Sequence, residues 1–149
     1  MSQADDKVAI TELLYRYAEL IDAGDFDGVG ALLGRGNFMG VAGAEAIAAL
    51  FAKTTRRFPE HGNRPRTRHL VLNPIVEIDG SADNVARARS TFCVVQQTDT
   101  VALQPIVVGR YADSFARGDQ GWHFTERRAD VEMIGDVSEH LMIDPRSFR

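Results

Sequence analysis

The chain has 149 residues, enough for one domain that buries about two thirds of its extended surface and too few for a second core. Its 17 basic and 21 acidic residues are interspersed and leave a net charge of -4, so the overall field offers nothing to nucleic acid or to an anionic membrane. The single cysteine, Cys93, excludes an internal disulfide and any multi-cysteine metal site.

The start, MSQADDK, is polar and acidic with no apolar leader-like run, and no window approaches the roughly 18 apolar residues of a membrane span; a cytoplasmic protein is expected. Ile10, Leu13, Leu14, Tyr17, Leu20 and Ile21 recur at three-to-four residue spacing and predict a helix that opens at Asp5 or Asp6 and stops at Asp22-Ala23-Gly24. A short helix follows from Asp25 or Asp27 through Leu33, then a short strand over Arg35 to Val41 and a third helix over Gly43 to Arg57. Phe58 to Pro65, with two prolines and a glycine, reads as a loop. Its His61 is read as solvated, with a pocket-lining position as the alternative. Arg56, Arg57, Arg64, Arg66 and Arg68 read as a solvated rim rather than a phosphate or RNA site, since few aromatics are interleaved.

Four long strands complete the pattern. They are Arg66 to Ile78, with Pro74 marking an edge or bulge, then Val85 to Gln97, Leu103 to Arg117 and Trp122 to Met133. Asp79-Gly80-Ser81 and the run from Arg117 to Gly121 supply the turns. Strands this long predict a meander that curves, with Pro105 and Gly109 as bulge positions. Helices followed by a curved sheet give an α+β cone. The last segment, from Gly135 on, is expected to lie across a rim or a partner.

Four residues are polar where the apolar pattern asks for core. Tyr17 lies on the stripe of the first helix, and its plain reading is a core tyrosine with its hydroxyl tied off. Asp22 closes that helix, where a carboxylate opposes the macrodipole; the plain alternative is a turn bonded to the Gly24 or Asp25 amide. His69 shares its side of a strand with Val71 and Asn73, either as a backbone-bonded core histidine or as a functional one. Arg127 shares its side with His123 and Thr125, and an inward arginine stays charged and wants a carboxylate or an anionic intermediate. Arg128 takes its place if a bulge shifts the register by one.

The stretches ITELLYRYAELIDAGDFDGVGALL, RTRHLVLNPIVEIDG and VVGRYADSFARGDQGWHFTERR, with the spacing between them, resemble the SnoaL-like group of the NTF2-like superfamily over nearly the whole chain. The resemblance is closest to the scytalone-dehydratase-like branch, which also holds the bile-acid 7α-dehydratase and hexachlorocyclohexane dehydrochlorinase. It implies one domain over 1–149, an NTF2-like cone with the N-terminal helices packed in the concave face of a strongly curved mixed sheet, and one deep, mostly apolar cavity. Asp22 and His69 fall on the Asp–His dyad of the eliminating members. Tyr17 matches a tyrosine of the bile-acid enzyme and a lysine of the dehydrochlorinase, and Arg127 matches an arginine they share. Scytalone dehydratase's fuller pocket set of tyrosines and histidines is lacking, so its substrate does not carry over.

The expected activity is a cofactor-independent lyase of dehydratase type acting on a small cyclic, largely apolar substrate. His69 would be the base, with Asp22 fixing its tautomer. Tyr17 would donate to the departing or developing oxygen, and Arg127 would steady that charge or orient Asp22. An isomerase of a cyclic ketone using the same base, a non-catalytic ligand-binding protein and a structural subunit of a larger enzyme are the alternatives. A homo-oligomer, trimer or dimer, is expected to cover the apolar residues of the outer sheet face. No cofactor or metal is expected: GxGxxG, Walker, GxSxG and HExxH patterns are absent, and the histidines at 61, 69, 123 and 140 have no ligand-like spacing.

Overall fold

A helix begins where its first amides find an acceptor, and here that acceptor is Ser2 rather than Asp5 or Asp6. In the computed structural model, which describes residues 2–79 and 84–148, helix α1 spans Gln3–Asp22. The Ser2 side chain accepts from the Asp5 amide while the Asp5 carboxylate accepts from the Ser2 amide, closing a capping box. Helix α2 (Phe26–Leu33) is capped by Asp25, whose carboxylate accepts from the Gly28 amide at 2.9 Å. Two short strands, β1 (Asn37–Phe38) and β2 (Val41–Ala42), stand where one was predicted, and helix α3 covers Ala44–Thr54. The predicted loop holds one short 3₁₀ turn, Pro59–His61.

Strands β3 (Thr67–Ile78), β4 (Val85–Gln96), β5 (Gln104–Gly118) and β6 (Gly121–Ile134) follow the predicted limits closely. Of the turn predicted at Asp79-Gly80-Ser81, Gly80 and Ser81 lie outside the described residues. The strands form one six-stranded sheet in the order β2-β1-β6-β5-β4-β3. It is mixed because β1 runs parallel to β6 while every other pair is antiparallel. Helices α1 and α2 pack on β3 and β6. Ile10, Leu14, Val29 and Leu33 from the helices share one core with Phe92, Phe115 and Phe124 from the sheet.

The strongly curved cone expected from the sequence is not what the chain forms. The sheet is open and not strongly curved. A bulge bends and twists a strand locally, and here each irregularity is one extra residue with a paired ladder on both sides of it. They lie at Leu72/Ile75, Val94/Val95, Val108/Gly109 and Ser114/Phe115. The first is at Pro74, on an edge strand as its missing donor requires, and Asn73 beside it takes a left-handed φ of 54°. The second pairs Val94 with Val107 and Val95 with Pro105, so Ile106 is the extra residue. That explains why Ile106 and Val107, neighbours that strict alternation would send to opposite faces, are both buried. Gly109 lies opposite Phe92, whose ring occupies the space a Cβ there would need and stacks on Tyr111 at 4.4 Å.

Candidate active site

The C-terminal end of α1 and the first residues of β3 meet at Asp22. Its carboxylate closes no turn of its own. It accepts from the Thr67 hydroxyl at 2.9 Å, from the His69 backbone amide at 2.9 Å, and lies 2.7 Å from His69 Nδ1. Asp22 and His69 side chains are only 12% and 9% exposed. Three donors from one strand thus hold the carboxylate that the helix dipole disfavours at this end. With the carboxylate ionised, the proton between them sits on Nδ1, and Nε2 is the nitrogen left for the cavity that the His69 ring lines.

Tyr17, one turn and a half earlier on α1, lines the same cavity with its ring 6.5 Å from that of His69. Burial pushes its hydroxyl up to about 12, with Arg127 pulling the other way, so it stays protonated and serves as a hydrogen-bond donor. Tyr111 packs edge-on against it at 5.9 Å, also in the cavity wall, and burial followed by the Tyr17 neighbour raises it well above the usual tyrosine range.

Arg127, and not Arg128, points inward. It does not meet Asp22. Its guanidinium grips Asp113 in a bidentate pair, Nε to Oδ1 at 2.8 Å and Nη2 to Oδ2 at 3.0 Å, and both side chains have no exposure. Above the guanidinium lie the rings of Tyr111 and Tyr17, at 3.6 and 4.3 Å. Burial raises the Asp113 carboxyl and Arg127 draws it back down; burial likewise opposes the Arg127 charge, and Asp113 more than offsets it, so the arginine rises above its ordinary value. The pair forms the floor beneath the two tyrosines.

The cavity has a volume of about 100 Å³ and is closed on one side by the segment after β6, whose His140 and Leu141 enter its wall. The sequence reading passed over Tyr111, Asp113 and His140. Asp113 left a signal, since it stands on the side of β5 shared by Tyr111 and Phe115, where a carboxylate demands a cation. His140 left none, because the tail carries no period.

His140 also makes the fold acid-sensitive. Burial pushes its imidazole from the ordinary value of 6.5 down to about 3, with His69 acting in the same direction and Asp22 against it. Between those values the unfolded chain binds a proton that the folded chain does not. The stability involved is therefore complete above about pH 6.5 and is lost as pH falls toward about 3, by up to about 1.4 kcal/mol per pH unit. Urea unfolding from pH 7 to pH 4 is expected to show wild type losing stability faster than His140→Asn; parallel losses would overturn this.

Among the described residues no helix is long and apolar enough to cross a membrane, and no group of three histidine, cysteine or acidic side chains could hold a metal ion. The sequence pattern of the SnoaL-like domain matches residues 2–128. The chain belongs to the SnoaL-like family. Solved structures agree on the fold. An NTF2-like protein with a cystatin-like fold from Novosphingobium aromaticivorans is 24% identical with a TM-score of 0.70, over 87% of this chain and 83% of that one. A candidate scytalone dehydratase from the same organism is 19% identical with a TM-score of 0.70, over 90% and 89%. A Catenulispora acidiphila protein in complex with S-DNPA is 18% identical with a TM-score of 0.67, over 86% and 94%. No curated protein matches this SnoaL-like chain.

Proposed function

We propose that this SnoaL-like domain is a cofactor-independent lyase of dehydratase type, of the scytalone-dehydratase-like branch, acting on a small cyclic, largely apolar substrate. One observation carries the reading: the Asp22 carboxylate lies 2.7 Å from Nδ1 of His69, whose ring lines an apolar cavity. Nε2 of His69 takes a proton from a carbon beside a carbonyl, and the electron pair becomes the new C=C bond as the C–O bond to the β-hydroxyl breaks. The imidazolium, steadied by Asp22, hands the same proton to the departing hydroxyl, which leaves as water. Tyr17 donates a hydrogen bond to the carbonyl oxygen as it gains charge. Arg127 acts through Tyr17, as a positioning residue beneath its ring.

The volume sets the substrate's size. An apolar cavity of about 150 Å³ takes one benzene, so one of about 100 Å³ limits the enclosed part of the substrate to a single small ring at most, with its substituents reaching the mouth, and excludes a fused system. The test is a screen of single-ring β-hydroxy-ketones, followed by absorbance of the enone formed. Dehydration of at least one is expected. Double-bond migration in cyclic enones without dehydration would replace the lyase by an isomerase, and tight binding without turnover of either class would make the protein a ligand carrier.

The same reading includes a homo-oligomer. Edge strand β3 leaves Leu70, Leu72 and Ile75 at 41%, 40% and 48% exposure, a density of apolar groups that a partner subunit would cover. Sedimentation at micromolar concentration is expected to show a dimer or trimer; a single species at the monomer mass of 16.4 kDa would rule it out.

A further inference from the structure

The elimination described above leaves the His140 imidazole in the cavity wall unused. His140 belongs to the segment that follows β6, and its backbone fastens that segment across the end of α3. The Arg56 amide donates to the His140 carbonyl at 2.8 Å, and the Met142 amide donates to the Thr54 carbonyl at 2.9 Å. Gln96 Nε2 donates to the Glu139 carbonyl at 3.2 Å, and the Glu139 side chain pairs with Arg56. The residue is 6% exposed, and its ring stands edge-on to that of His69, centroids 6.1 Å apart. Its Nδ1 is buried with no hydrogen-bond partner among the described residues.

A buried ring nitrogen is ordinarily bonded to something. Here the backbone ties fix where the side chain starts, and the ring lies in a cavity wall beside the proposed base, so a ligand in that cavity is a partner within its reach. Burial keeps the ring neutral, which removes it as a proton donor or a second base and leaves it a fixed hydrogen-bonding group.

We propose that His140 is a substrate-contacting residue: its neutral ring hydrogen-bonds an oxygen of the substrate while His69 works on a carbon within two or three bonds of that oxygen. This rests on the reading of His69 as the base and narrows it. Accepted substrates are single rings with a hydroxyl or carbonyl at the His140 end, and hydrocarbons of the same size are not held there.

Phenol and toluene, equal in shape and different in one hydroxyl, are the probes. With ¹⁵N-histidine-labelled protein, phenol is expected to shift the His140 ring nitrogens and to bind about tenfold tighter than toluene, the effect of one net hydrogen bond. His140→Leu is expected to bring phenol down to the affinity of toluene while toluene binding, which reports an intact cavity, is retained. His69→Ala is expected to keep the phenol preference, so failure of the base reading and failure of this one are separable. An unmoved His140 signal, absence of phenol binding, or a phenol preference that survives in His140→Leu overturns the proposal. Should His140→Leu not fold, the wild-type ¹⁵N shift and the preference measured in His140→Phe decide in the same way.

Discussion

His69→Ala is expected to lower kcat/KM by about 10²–10⁴-fold, the usual weight of a positioned general base, on whichever β-hydroxy-ketone the wild type dehydrates. Asp22→Asn is expected to lower it by a similar amount for a less obvious reason. The Asp22 carboxylate accepts from three groups, and one of them, the His69 backbone amide, can only donate. An asparagine there must turn its carbonyl oxygen toward that amide, which places its NH₂ at Thr67 and His69 Nδ1. The Thr67 hydroxyl can rotate to accept, and the imidazole can accept only by moving its proton to Nε2. The fold survives and the base is lost, because the cavity now faces an N–H. Steady-state kinetics on both variants, with ¹⁵N shifts of His69 to read the tautomer, check this. The two substitutions together are expected to cost no more than His69→Ala alone, as residues acting as one unit do. Full activity in either single variant ends the dyad reading.

Arg127→Met is expected to destabilise the fold by about 3–5 kcal/mol, the usual cost of leaving one half of a fully buried ion pair uncompensated. For a domain of this length that corresponds to a fall in Tm of about 6–20 °C. Asp113, with no solvent and, among the described residues, no other cation against it, carries the penalty. Adding Asp113→Leu to Arg127→Met is expected to restore much of the loss, because the buried charge is then gone altogether. Thermal unfolding followed by circular dichroism tests both. An Arg127→Met variant melting within about 2 °C of wild type, less than 1 kcal/mol at this size, would show that the pair is not what holds the floor of the cavity.

Local chemistry alone determined the elements and singled out two candidate site residues, which the family resemblance then paired as a dyad. Period-2 alternation sets Ala86, Ala88, Ser90, Phe92 and Val94 on one side of β4, and all five are buried. Because a strand fixes the direction of each side chain, His69 could be aimed from its neighbours. Asp22 stood out because a carboxylate at that helix end needs a partner from elsewhere. Ser2, in contrast, took the cap predicted for Asp5 or Asp6, since the reciprocal bond with Asp5 is open to a serine three residues before it.

Only the tertiary structure decided the rest. The shape of the sheet depends on how bulges on four strands combine, which no single strand's pattern contains, and the outcome is an open sheet that is not strongly curved. Arg127 was legible as an inward charge, but its partner was set by the β5–β6 register, which puts Asp113 directly opposite it and Asp22 out of its reach. His140 lies in a segment without periodicity. It reaches the cavity through backbone bonds to residues 54 and 56, more than 80 positions away in the chain, and contacts of that range have no trace in local sequence.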